Sequence, residues 1–117
     1  MKAIVRRFHS PDADLDSFAP KDKRDVEILV QIMAGPSDGP GEESFDVVVC
    51  TTRRLQLLVV EEGPLVPRHH LFVAEWDWPT VRQFLTHQME TPEEPTWSDL
   101  ARKLGRIGKW EFEDYQQ

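Results

Sequence analysis

Most of what would mark the chain for secretion or for a membrane is missing. Cys50 is the one cysteine in 117 residues, and a lone thiol closes no internal disulfide, whereas secreted domains of this size more often carry an even set. No apolar run approaches the roughly eighteen residues of a spanning helix; the longest stretches resemble Val47-Val48-Val49-Cys50. The opening Met1-Lys2-Ala3-Ile4-Val5-Arg6-Arg7 is followed by no small-residue cleavage site. The expectation is a cytoplasmic protein, starting at Met1, with no membrane association.

Positive charge is also scarce. Lys and Arg number 14 against 21 Asp and Glu, a net charge of −7. Residues 61–117 are the more acidic part, with 6 basic and 11 acidic groups. The adjacent cations Arg6-Arg7, Lys23-Arg24, Arg53-Arg54 and Arg102-Lys103 are each diluted by nearby acids. Counterion release on nucleic acid needs clustered cations, so direct nucleic-acid binding is disfavoured. An acidic surface suits steered association with a basic protein, and it also serves solubility.

Internal repeats and low-complexity tracts are absent apart from the loop Gly35-Pro36-Ser37-Asp38-Gly39-Pro40-Gly41. The pattern elsewhere predicts short elements. Ala3–Phe8 reads as a strand with Ile4, Arg6 and Phe8 on one face and Ala3, Val5 and Arg7 on the other. A long Ser/Pro/Asp connection follows, pinned by Leu15 and Phe18. Val26, Ile28, Val30 and Ile32 alternate as the clearest strand, and Phe45, Val47 and Val49 mark its antiparallel neighbour across the glycine-proline loop. Thr51 or Thr52 caps a short helix carrying Leu55, Leu58 and Val59 that stops at Gly63-Pro64.

His69–Trp76 reads as a fourth strand. Asp77 and Pro79 open a helix running to about Thr91-Pro92, and Thr96 with Asp99 opens a second one over Trp97–Leu104, closed by Gly105 or Gly108. Trp110 and Phe112 alternate with Glu111 and Glu113 as a C-terminal edge strand. Strands and helices do not alternate regularly. The fold class is therefore α+β: one domain over residues 1–117, with a mostly antiparallel sheet of four to five strands and two or three helices packed on one face.

The usual chemical constellations fail one by one. Asp12-Ala13-Asp14-Leu15-Asp16 imitates a calcium loop, but its sixth and twelfth positions hold Ser17 and Lys23 instead of glycine and glutamate. On a strand His69 and His70 point to opposite faces, so they cannot share an ion, and Cys50 alone does not complete a zinc site. No phosphate loop, no nucleophile with an orienting base and no convergent pair of carboxylates stands out. The expectation is a protein that is not an enzyme and uses neither metal nor cofactor. Of the four tryptophans, Trp76, Trp97 and Trp110 fall on core positions, and Trp78 is the one expected to be exposed.

Across nearly its whole length the chain resembles the immunity protein 8 family of bacterial polymorphic toxin systems. The resemblance is carried by His9-Ser10-Pro11-Asp12, by the strand Glu43-Ser44-Phe45-Asp46-Val47-Val48-Val49-Cys50-Thr51, by Arg68-His69-His70-Leu71, by the tryptophan-led helix Trp97–Leu104, and by the ending Trp110-Glu111-Phe112-Glu113-Asp114-Tyr115. It departs at Thr52 and Arg54, where family members often carry Pro and Trp after the Cys-Thr pair, and the helix that starts there is expected to pack differently. The resemblance implies an antitoxin that neutralises a cognate toxin C-terminal domain in a stoichiometric complex. Charge suggests that this partner is basic, with Glu42, Glu43, Asp46, Trp78, Glu111, Glu113 and Asp114 as the binding face. A small metal-dependent hydrolase built on His69 or His70 with Cys50, and an acidic adaptor that inhibits nothing, are the alternatives.

Overall fold

The computed structural model describes residues 1–114, and the β-branched alternation seen in the sequence forms its centre. Strand β2 (Glu27–Pro36) turns Ile28, Val30, Ile32 and Ala34 to one face, all buried. Strand β3 (Glu43–Thr51) sets Phe45, Val47 and Val49 beside them, antiparallel, in a register that pairs Ile28 with Val49 and Ile32 with Phe45. Each fully buried side chain of this size stabilises the fold by about 1.5–3 kcal/mol. The connecting loop folds back so tightly that a Cβ on Gly35 would lie 2.0 Å from the Gly41 carbonyl oxygen.

Strand β1 (Ala3–His9) pairs antiparallel with β2, and here strict alternation fails. The register slips between Val5 and Arg7, leaving Arg6 as a bulge residue, so that Val5 opposes Ala34 and Phe8 opposes Ile32. Phe8 therefore joins Ala3 and Val5 on the core face, correcting its expected grouping with Ile4 and Arg6, and Ile4 is left 40% exposed. The bulge frees the Arg6 guanidinium to donate to the carbonyls of Pro36, Gly39 and Gly41, which fastens the loop. Where β1 has ended, the Asp12 carboxylate accepts the Leu29 N–H in place of a strand partner. The acid-rich connection is thus an acceptor for backbone and side-chain donors, with Leu15 buried and Phe18 packed against the core as expected.

Helix α1 (Thr52–Glu62) is capped by the Thr51 hydroxyl and ended by Gly63 at φ 88°, and none of its residues is buried. It leads to β4 (His70–Val73), which runs parallel to β3 along Val48–Thr51. This strand is shorter than His69–Trp76, because β3 ends at Thr51 and the Trp76 N–H turns away to donate to the Lys23 carbonyl. Helix α2 (Trp78–Glu90) buries Trp78, Val81, Leu85 and Met89, and α3 (Trp97–Leu104) buries Leu100, Ala101 and Leu104. Asp77 occupies the expected capping position, but its carboxylate accepts the Thr80 hydroxyl instead of a backbone N–H. Thr96 does cap α3, accepting the Asp99 N–H at 3.1 Å.

Strand β5 (Lys109–Trp110) pairs antiparallel with Phe45 and Asp46 of β3. With β2 along one edge of β3, β4 and β5 share the other, and the five-stranded sheet of order β1-β2-β3-β4 is mixed but mostly antiparallel. The expected strand through Phe112 stops early. After one further bond from Glu111 N–H to the Ser44 carbonyl, the chain closes a turn through Glu113 N–H and the Trp110 carbonyl. Tyr115, the last residue of the tail motif, lies outside the described residues.

Candidate partner-binding surface

The acids expected on a binding face come together where β3 begins and the chain ends, but most of them are already engaged. Glu43 opens β3 with a carboxylate oxygen, Oε1, that accepts the indole N–H of both Trp97 and Trp110, each at 2.9 Å. Glu111 accepts the Ser44 N–H at 2.8 Å while its own N–H returns to the Ser44 carbonyl, so it clamps the tail to β3. Glu42 accepts from Arg7 at 2.9 and 3.1 Å. Glu113 lies 3.8 Å from Arg68 and 3.5 Å from His69. Asp114 is exposed in the left-handed region at φ 65°. Asp46 pairs in register with Gln31 on one side and Lys109 on the other, and its Oδ1 is buried with no hydrogen-bond partner among the described residues.

Trp78 belongs to a different region and is not exposed. At 8% exposure it is part of the core. Pro79, acceptable only in a first helical turn, starts α2 there. The Trp78 ring meets Phe8 edge-on at 5.2 Å and stacks on Trp76 at 5.9 Å, and its N–H donates to Asp16 at 3.2 Å. The bulge in β1 is what brings Phe8 to this face, so no pattern in the sequence near Trp78 announces its burial. Trp76 and Trp78, with Phe18, line a groove of about 1030 Å³ between the 15–20 loop and α2, with Lys2, Lys23, Arg82, Asp16, Asp77 and Glu90 around it.

The histidine pair and the cysteine do not form a joint site. His69 sits just before β4 at φ 58°, its Nε2 2.9 Å from the Gly105 carbonyl oxygen. His70 Nδ1 lies 2.8 Å from the Arg68 carbonyl oxygen and its ring stacks on Phe72 at 5.5 Å. Cys50 is buried, its thiol 3.4 Å from the Thr51 carbonyl oxygen. Burial pushes the Cys50 thiol pKa up, and the negative charge of Glu27 pushes it further in the same direction. Among the described residues no three His, Cys, Asp or Glu side chains converge to hold a metal ion, and no helix is long and apolar enough to cross a membrane.

What the geometry builds is an α+β domain in which Glu43 and Glu111 brace a strand margin and a tail. The family model described as immunity protein 8 matches residues 3–115. The chain belongs to the immunity protein 8 family, as its strand and tail motifs suggest. No curated protein and no solved structure matches it.

Proposed function

We propose that this protein is an antitoxin that binds the toxin domain encoded beside its own gene and neutralises it in a one-to-one complex within the cytoplasm. The observation that carries the reading is the family match over residues 3–115, since a family of immunity proteins implies a toxin to be held. The net charge of −7 supports a basic partner. Glu42, Glu113 and Asp114 place negative charge on the margin of β3, while Glu43 holds the Trp97 and Trp110 indoles and Glu111 clamps the tail to Ser44. A standard inhibitory interface buries about 1,200–2,000 Å² in total, and charges at its rim act mainly on the association rate.

Co-expression with the toxic C-terminal domain encoded next to the gene tests the reading, scored by cell survival and by co-purification through size exclusion at low and high salt. Survival with a complex whose association slows as salt rises is the expected result. Cell death with no complex would overturn it.

A further inference from the structure

The large apolar side chains left exposed in the described residues are unevenly placed. Of the nine large apolar side chains exposed among the described residues, five, Leu57, Val59, Val60, Leu65 and Val66, lie as a ridge on the second half of α1 and the segment just beyond it at 40–77% exposure, while Met1, Ile4, Phe84 and Phe112 lie elsewhere at 37–47%. Val60 and Val66 are the extremes at 77% and 75%. Monomeric proteins rarely leave such residues contiguous without a partner to cover them. Helix α1 has 11 residues and buries none of them, and a helix shorter than about 12–15 residues is marginal in water unless an apolar face packs on something. Its ends are fixed by Thr51 and Gly63, and Leu55 and Leu58 are half-buried, but no side chain of the helix is fully buried within the chain.

Charge says what kind of partner fits. At the root of α1, Arg53 pairs with Asp22 at 3.0 Å and Arg54 with Asp25 at 3.9 Å. At its tip Glu61 and Glu62 have no basic residue in their helical turn and enter no ion pair among the described residues. The ridge is therefore apolar with an acidic border. In a two-fold dimer the same patch meets itself, and a parallel pairing of the helices would set Glu61 and Glu62 against their own copies. An antiparallel pairing that put arginine there would have to take Arg53 and Arg54 from Asp22 and Asp25. Beyond the ridge the Arg68 N–H bonds to the Val66 carbonyl and the Arg68 side chain reaches Glu113, so the ridge runs into the acidic margin of the tail.

We propose that Leu57, Val60, Leu65 and Val66, with Glu61 and Glu62 at their border, form the surface on which the toxin domain docks, through an apolar depression edged by Lys or Arg. This rests on the antitoxin reading above. The ridge anchors the complex and governs its dissociation, whereas the acids speed its formation.

The test measures binding of the neighbouring toxin domain to wild type, to the double variant Val60→Ser/Val66→Ser, and to Glu61→Lys/Glu62→Lys. Because these side chains are exposed, each variant should melt within about 2 °C of wild type. The serine pair should weaken the complex about tenfold or more, mainly by faster dissociation. The lysine pair should slow association and flatten its salt dependence. If wild type binds and protects cells while the serine pair binds equally well, the ridge assignment falls and the antitoxin reading stands. If wild type neither binds nor protects, both fall. A wild-type dimer that the serine pair dissociates with toxin affinity unchanged would show a second copy on the ridge and overturn the proposal.

Discussion

Replacing Glu43 should damage the fold far more than replacing an ordinary surface acid. Its Oε1 accepts two indole N–H groups at 2.9 Å, from Trp97 on α3 and Trp110 on β5, both part-buried. Glu43→Ala leaves both donors without a partner, at about 1–3 kcal/mol for each unsatisfied buried group. Water reaches part of this site, so the lower half of that range applies and the loss is about 2–4 kcal/mol. For a domain of this length 1 kcal/mol shifts the melting temperature by about 4 °C, which gives a drop of about 8–16 °C. Glu43→Gln keeps an amide oxygen for the same donors and forfeits only the charge on the acceptor, so it should lose about 1 kcal/mol. Thermal unfolding followed by near-ultraviolet circular dichroism reads both quantities through the tryptophans concerned. A Glu43→Ala midpoint within about 2 °C of wild type would refute the reasoning and return Glu43 to the role of a solvated surface charge.

Three further outcomes concern the end of β3. The Thr51 hydroxyl accepts from Val26 N–H at 3.1 Å and from Arg54 N–H at 3.4 Å, and it is fully buried; Thr51→Ala should cost about 1–3 kcal/mol in urea unfolding and Thr51→Ser should recover most of it. Cys50 should resist a thiol reagent at pH 8 in the folded protein and react at once in denaturant. Because folding raises the Cys50 pKa, its contribution to stability is fully present below the unfolded thiol pKa and is lost as pH rises through the folded value. Cys50→Ala should therefore reduce the fall in stability on the alkaline side, and a pH profile identical to wild type would contradict this.

Period and punctuation made most of the fold legible. The β2 alternation, the glycine-proline loop, Thr51 and Gly63 around α1, and Thr96 before α3 all report local preferences that tertiary contacts leave unchanged. What escaped was set by contacts distant in sequence. One bulge residue, Arg6, reverses the phase of β1 and carries Phe8 to the core, and nothing in Val5-Arg6-Arg7 distinguishes a bulged strand from a regular one. The length of β4 depends on where its neighbour β3 ends, and the length of β5 on how the tail turns back at Glu113.

The surface was less legible than the fold because a charge in a sequence carries no record of its partner. Glu43 and Glu111 are as acidic on paper as Glu61 and Glu62, yet the first two hold indoles and a strand N–H while the last two enter no ion pair among the described residues and neighbour an exposed valine. Trp78 fails for the complementary reason: its helical position is readable, but its burial depends on Phe8 and Trp76 arriving from other elements. The signal that did exist for α1 was its own inconsistency. Val59-Val60 are β-branched residues at the end of a helix, followed at once by Glu61-Glu62 and a Gly63-Pro64 stop, beyond which Leu65 and Val66 are exposed. Weak intrinsic preference combined with no fully buried side chain is poor design for a helix that serves only the fold, and it becomes intelligible once the helix serves a second molecule.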